Sequence, residues 1–325
     1  VRAIAGIAAA ALAALVPLSA AVAGEAFEWQ LPRGFPVPAV PADNPMSDAK
    51  VALGRRLFFE TRLSISGKHS CASCHLPERA FSDGRARAVG ATGQELTLNA
   101  MALVNVAYNI TYGWAQPQVR SLEDQMLQPL FNEHPIELGL KGREQQVVAL
   151  LSRDESYRAS FASAFPDAPS IEIEHVIKAI AAFERTLIFG RSPFDRYVFE
   201  GDHDALTPAA KRGMEIFFSK EAGCASCHSG FNFSGNWRDA EGETGEPSFA
   251  LNGTSAIPMR VPTLRNIALT APYMHDGRYA TLEAVLDHYA SLDEKAPLPA
   301  LRITASQRRD LLEFLNSLTD TTPMR

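Results

Sequence analysis

All four cysteines of the chain fall in two pentapeptides, Cys71-Ala-Ser-Cys74-His75 and Cys224-Ala-Ser-Cys227-His228. Both spell C-x-x-C-H, the spacing at which two thiols add across the vinyl groups of a haem and the adjacent imidazole takes one axial position of the iron. A redox C-x-x-C with an incidental histidine explains one such motif, not two. Zinc wants further thiolates or paired histidines at ligand spacing, and the other histidines of the chain stand singly. The sequence therefore predicts two covalent c-type haems, with His75 and His228 as the ligands on one side of each iron.

Elements that position two haems need room. The 325 residues, 46% of them hydrophobic, suffice for two domains with cores of their own. The net charge of −6 argues against a nucleic-acid partner, which selects basic surfaces. Arg2 precedes an apolar run from Ala3 to Val16, followed by Pro17 and the small-residue ending Ala21-Val22-Ala23. That is the layout of a cleaved secretory signal over residues 1–23. The run is shorter than the roughly 20 apolar residues of a membrane span. The expectation is a periplasmic protein with no membrane anchor after signal removal, in the compartment where c-type haems are attached.

Beyond a proline-rich arm around Pro32–Pro45, the chain repeats itself. Ser47 opens a helix through Gly54-Arg-Arg-Leu-Phe58-Phe59 into the first haem motif; Thr207-Pro208 opens one through Gly213-Met-Glu-Ile-Phe217-Phe218 into the second. Downstream, Leu103-Val-Asn105-Val-Ala matches Leu264-Arg-Asn266-Ile-Ala, and Ser121-Leu-Glu matches Thr281-Leu-Glu. The expected fold is all-α: two cytochrome c-like domains related by internal duplication, each with one covalent haem. Residues 25–195 form the N-terminal domain and 200–325 the C-terminal one. Apolar spacing predicts helices over Gln145–Leu151 and Ile171–Ile188, read as an insertion in the first half; His175 in the second of these reads as structural.

The duplication makes differences informative. Eight residues past each helix cap stand Pro129 and Tyr289; eleven past Leu103 and Leu264 stand Trp114 and His275. One iron then has a far side that no side chain can cap, the other a far side with a possible ligand. An open iron performs chemistry; a six-coordinate one stores and passes electrons. Met259, Met274, His275, His288 and Tyr289 are all candidates for that sixth ligand. Met101 and Met126, the methionines of the first half, miss the matching place and read as core.

Two runs, Val261-Pro-Thr-Leu-Arg-Asn-Ile267 and Thr270-Ala-Pro-Tyr-Met-His-Asp-Gly277 with Thr281-Leu-Glu, resemble the bacterial di-haem cytochrome c peroxidase and MauG family. So does Leu53-Gly-Arg-Arg-Leu-Phe-Phe with Leu63-Ser. The resemblance implies that Trp114 lies between the haems and that Gln125, Pro129 and Glu137 form the pocket where peroxide reacts at the first haem. It implies a calcium ion held by Asn99, Thr270 and Pro272, oxygen donors of the kind that ion prefers. Ordinary members carry a loop histidine that blocks the first iron; the matching loop here has Ala91. Tyr289 occupies the place of their axial methionine, as in the MauG-like branch, which includes the MbnH type associated with methanobactin loci. The function so implied is formation of a high-valent, bis-ferryl state with hydrogen peroxide and oxidation of an aromatic residue, tryptophan, of a partner protein. The alternative is a peroxide-detoxifying peroxidase fed by a small cytochrome.

Overall fold

The computed structural model describes residues 27–235, 237–244, 249–250, 259–293 and 300–322; the leader read over 1–23 lies outside them. Nine α-helices occur among the described residues: α1 Asp48–Phe58, α2 Leu122–Phe131, α3 Glu144–Arg153, α4 Glu155–Ala164, α5 Ile173–Arg185, α6 Pro193–Phe199, α7 Pro208–Phe218, α8 Leu282–Ala290 and α9 Ala305–Asn316. The only β-ladder among those residues is one two-residue antiparallel pair, Phe249–Ala250 against Met259–Arg260. The architecture is all-α, as the sequence predicts.

The caps are those expected. Ser47 accepts from the Lys50 N–H, Thr207 from Ala210, Ser121 from Asp124 and Thr281 from Ala284. The helix that leads into each haem motif crosses a later helix of its own half, α1 over α5 and α7 over α9. Both crossings turn on a glycine. A Cβ on Gly54 would lie 1.9 Å from the Ala179 carbonyl oxygen, and one on Gly213 1.9 Å from that of Asp310. Substituting Gly54→Ala is therefore expected to push the helices apart at a cost of about 1–3 kcal/mol. A lowered melting midpoint of the holoprotein by circular dichroism checks this, and an unchanged midpoint refutes the close crossing.

The equivalence of these crossings revises one expectation. Helix α5 is no insertion: it is the counterpart of α9, and only α3 and α4 are additional. Two asparagines confirm the register. Asn105 and Asn266 both adopt left-handed backbone, φ 57° and 58°, which asparagine tolerates better than most residues. Each donates its backbone N–H to the leucine beyond the crossing helix, Leu187 or Leu318. Each side-chain oxygen accepts from an N–H two residues further on, Phe189 or Asp320, at 2.7 Å. The added α4 packs on α1, with the Arg56 guanidinium 4.1 Å over the Tyr157 ring. His175 is structural, its Nδ1 accepting from the Glu172 N–H at 3.2 Å.

One buried apolar cluster runs from Leu53 to Phe189 and a second from Phe194 to Leu318. They are tied together by a buried hydrogen bond, the Asn105 side-chain amide donating to Asn232 Oδ1 at 2.9 Å, while Arg265 binds both carboxylate oxygens of Asp195 at 2.9 Å within the second. The proline-rich arm crosses the junction: Phe35 packs on Tyr108 and Phe231, and Tyr108 Oη donates to the Pro36 carbonyl. Of the paired aromatics, Phe58 and Phe217 are buried while Phe59 and Phe218 lie at the surface.

Candidate di-haem site

Each C-x-x-C-H motif opens with a 3-10 turn, Cys71–Ser73 and Cys224–Ser226, and in both the histidine N–H donates to the first cysteine's carbonyl at 3.0 Å. His75 Nδ1 donates to the Phe81 carbonyl at 2.8 Å and His228 Nδ1 to the Phe233 carbonyl at 3.1 Å. A ring nitrogen bonded to a carbonyl must carry the proton, so with that bond made by Nδ1 it is Nε2 that bears the lone pair, the tautomer a metal needs. Burial lowers both imidazole pKa values, which keeps the rings neutral. Burial also pushes the Cys74 and Cys224 thiols up to about 11. No disulfide links the cysteines.

Cys224, Cys227 and His228 line one cavity whose walls are Leu282, Leu286, Leu311 and Leu315. Two thiols, an imidazole and aliphatic walls are the surroundings a covalently tethered porphyrin requires, so the residues fit the group. Tyr289 from α8 lines the same cavity, as do Met259, Met274 and His275. His288 is outside that lining: its ring packs on those of Tyr279 and Tyr289, at 5.2 and 5.5 Å between centroids. Asn99, Thr270 and Pro272 also border this cavity. No cluster of three histidine, cysteine or carboxylate side chains that could hold a metal occurs among the described residues. A calcium ion there would thus rest on amide and carbonyl oxygens.

Around the first motif a different set converges. Gln125 and Pro129 sit one turn apart on α2, hence on one face. The Pro129 carbonyl accepts the Leu138 N–H at 2.9 Å, which brings the Glu137 segment against that helix. Ala91 donates its N–H to the Glu137 carbonyl at 2.6 Å, so the loop position where a blocking histidine is absent lies beside Glu137. The Glu137 carboxyl is near enough to Cys71 and Cys74 to raise their thiol pKa values further. Desolvation alone lifts Glu137 itself to about 7. Met126 is buried in the first core.

Between the motifs the halves exchange backbone bonds reciprocally. Asn99 donates its N–H to the His275 carbonyl at 2.8 Å, and Arg260, the residue equivalent to Asn99, donates to the Trp114 carbonyl at 2.7 Å. The Trp114 and His275 rings meet edge to face, 6.4 Å apart. Trp114 Nε1 donates to the Asn99 carbonyl at 2.9 Å, which fixes the indole at the border of the second cavity.

Known proteins with this arrangement are numerous. A family model described as di-haem cytochrome c peroxidase matches residues 48–204. The methylamine utilization protein MauG of Methylorubrum extorquens is 38% identical over 86% of this chain and 80% of its own. The cytochrome c peroxidase Ccp of Escherichia coli is 32% identical over 88% of this chain and 61% of its own. A crystal structure of a MauG-like protein associated with microbial copper homeostasis superposes with a TM-score of 0.86 at 37% identity, covering 91% of this chain and 96% of that one. The chain belongs to the di-haem cytochrome c peroxidase and MauG family.

As a member of that family the protein is a di-haem peroxidase-type oxidoreductase, and the family implies two c-type haems. Two buried ionisable groups near the di-haem site escape motif reading. Glu184 on α5 is 6% exposed, its Oε2 has no partner, and burial raises its pKa to about 8. Its equivalent on α9 is Leu315, which lines the second cavity, so the two halves differ here as well. The other is Arg260. Neither shows in a motif, because what sets them apart is their burial, which only the fold supplies.

Proposed function

We propose that this chain is a MauG-like, periplasmic enzyme that uses hydrogen peroxide to oxidise an aromatic residue, tryptophan, of a partner protein. What carries the reading is an inequality between matched positions. Tyr289 of α8 lines the cavity of Cys224, Cys227 and His228, whereas its counterpart on α2 is Pro129, which has no donor atom. The export signal read over residues 1–23 supports the compartment, and no described helix is long and apolar enough to cross a membrane.

When bound, the two haems supply the reduction of peroxide and hold two oxidising equivalents until the partner delivers electrons. The rest falls to the chain. His75 and His228 would hold the irons through Nε2. Glu137, with a carboxyl balanced near neutrality, takes a proton from one peroxide oxygen and returns it to the other, so that water can leave. Gln125 orients the peroxide, and Pro129 and Ala91 leave its approach open. Tyr289 as phenolate would favour the oxidised form of the second iron. Trp114 would be the aromatic bridge for charge between the two haems. Asn99 and the carbonyls of Thr270 and Pro272 would hold calcium at the seam.

Adding peroxide to ferric holoprotein tests this. A near-infrared charge-resonance band is expected in the native enzyme and its loss in Trp114→Phe; a band that persists unaltered reduces Trp114 to packing. Rapid turnover with a reduced small cytochrome c would instead favour the detoxifying peroxidase, the activity carried in the name of the Escherichia coli relative.

A further inference from the structure

The described residues include several deeply buried guanidinium groups, and all but one have a carboxylate. Arg265 pairs with Asp195, and Arg185 holds both oxygens of Glu123 at 2.8 and 2.7 Å. Arg260 is 6% exposed and has none among the described residues. Its Nε donates to the Gly113 carbonyl at 3.2 Å, and a terminal nitrogen to the Met101 sulfur at 3.3 Å, a weak acceptor. Burial without a counter-charge pulls its pKa down to about 10. A guanidinium offers five N–H donors, and a buried charge left uncompensated is strongly destabilising. The group also borders the second haem cavity, so an anion that enters the cavity can reach it.

We propose that Arg260 is the counter-ion of a propionate of the haem attached at Cys224 and Cys227. The inference rests on the two-haem reading and is independent of which branch of the family the enzyme follows. A haem brings two carboxylates, and the fork of arginine matches a carboxylate in a bidentate way. The equivalent position in the first half is Asn99. The seam therefore has a permanent cation on one side and an amide, the candidate calcium ligand, on the other. Because Arg260 also donates its N–H to the Trp114 carbonyl, this charge is fixed beside the inter-haem aromatic. A propionate held by a permanent cation stays ionised, so redox change at the second iron proceeds without proton uptake. With the cation gone, a buried propionate takes a proton at low pH and releases it at high pH.

The test is spectroelectrochemical titration of holo Arg260→Met across neutral pH, with haem content measured first by the pyridine haemochrome assay. Fewer than two haems per chain in the native protein would sink the two-haem reading itself. With two haems present, the second midpoint potential of the native protein is expected to be flat with pH. That of R260M is expected to fall towards a tenfold change in the ferrous-to-ferric ratio per pH unit, about 59 mV for a one-electron couple. A flat R260M profile overturns the proposal. Should R260M fail to assemble, Arg260→Lys keeps the charge but loses the fork. Its propionate bending band in resonance Raman spectra is expected to shift, and an unmoved band overturns the proposal equally.

Discussion

Replacing Glu137 by Gln is expected to slow the reaction of ferric holoprotein with hydrogen peroxide by about 100- to 10,000-fold, the span of general acid–base help. Haem content and the resting spectrum should not change. Gln keeps the size and hydrogen-bonding capacity of the side chain but cannot accept a proton, so a loss isolates proton transfer from packing. The pH dependence supplies the sign. Burial raises the carboxyl from its ordinary 4.5 to about 7. The carboxylate is the form that can take the first proton from neutral peroxide. The native rate constant should therefore climb as pH rises through about 7 and level off above it. E137Q should lack that inflection. Stopped-flow mixing over the pH range measures both quantities. A native profile that falls as pH rises would assign Glu137 the opposite starting state, and equal rates for the two proteins would remove it from the chemistry.

The parts legible in the sequence were those in which local chemistry and repetition agree. Helix caps at Ser47, Thr207, Ser121 and Thr281 are local signals, and the structure has each where a short polar side chain precedes an apolar run. The haem motifs are contiguous, so their partners hardly matter. Helix α9 and its equivalence to α5 were less visible, because the crossing that defines them rests on contacts of Gly54 and Gly213 with distant backbone. A glycine inside a helix reads as a weak point until the carbonyl opposite is known. Helix α4 gives no clear signal in the sequence, because its small residues, Ala159, Ser160, Ala162 and Ser163, blur the apolar stripe. The convergence of Gln125, Pro129, Glu137 and Ala91 came from resemblance, since nothing in their spacing announces that α2, a loop and a segment past Pro135 meet. Arg260 was unreadable for a related reason. A guanidinium is conspicuous only once burial and the lack of a carboxylate are known together.

The second large effect belongs to Tyr289→Phe. Deleting one oxygen should leave two haems per chain and the same fold, because the ring still fills the wall of the second cavity. What should vanish is the low-spin ferric signal of the second haem in electron paramagnetic resonance, together with any accumulation of the peroxide-oxidised state in optical spectra. The argument is electrostatic. Burial disfavours the phenolate in the bare pocket and raises the Tyr289 pKa, with desolvation the leading cause. Only a positive centre such as ferric iron can offset that penalty, and the anion then stabilises the more oxidised metal in return. Tyr289→Met separates ligation from charge: a thioether can restore six-coordination but favours the reduced iron, so the low-spin signal should return without the oxidised state. His288, one residue away and outside the cavity lining, serves as the control; His288→Ala should leave both readouts as they are. If Y289F answers peroxide with the native optical change, the phenol is not the ligand, and Met259, Met274 and His275, which line the same cavity, become the residues to replace.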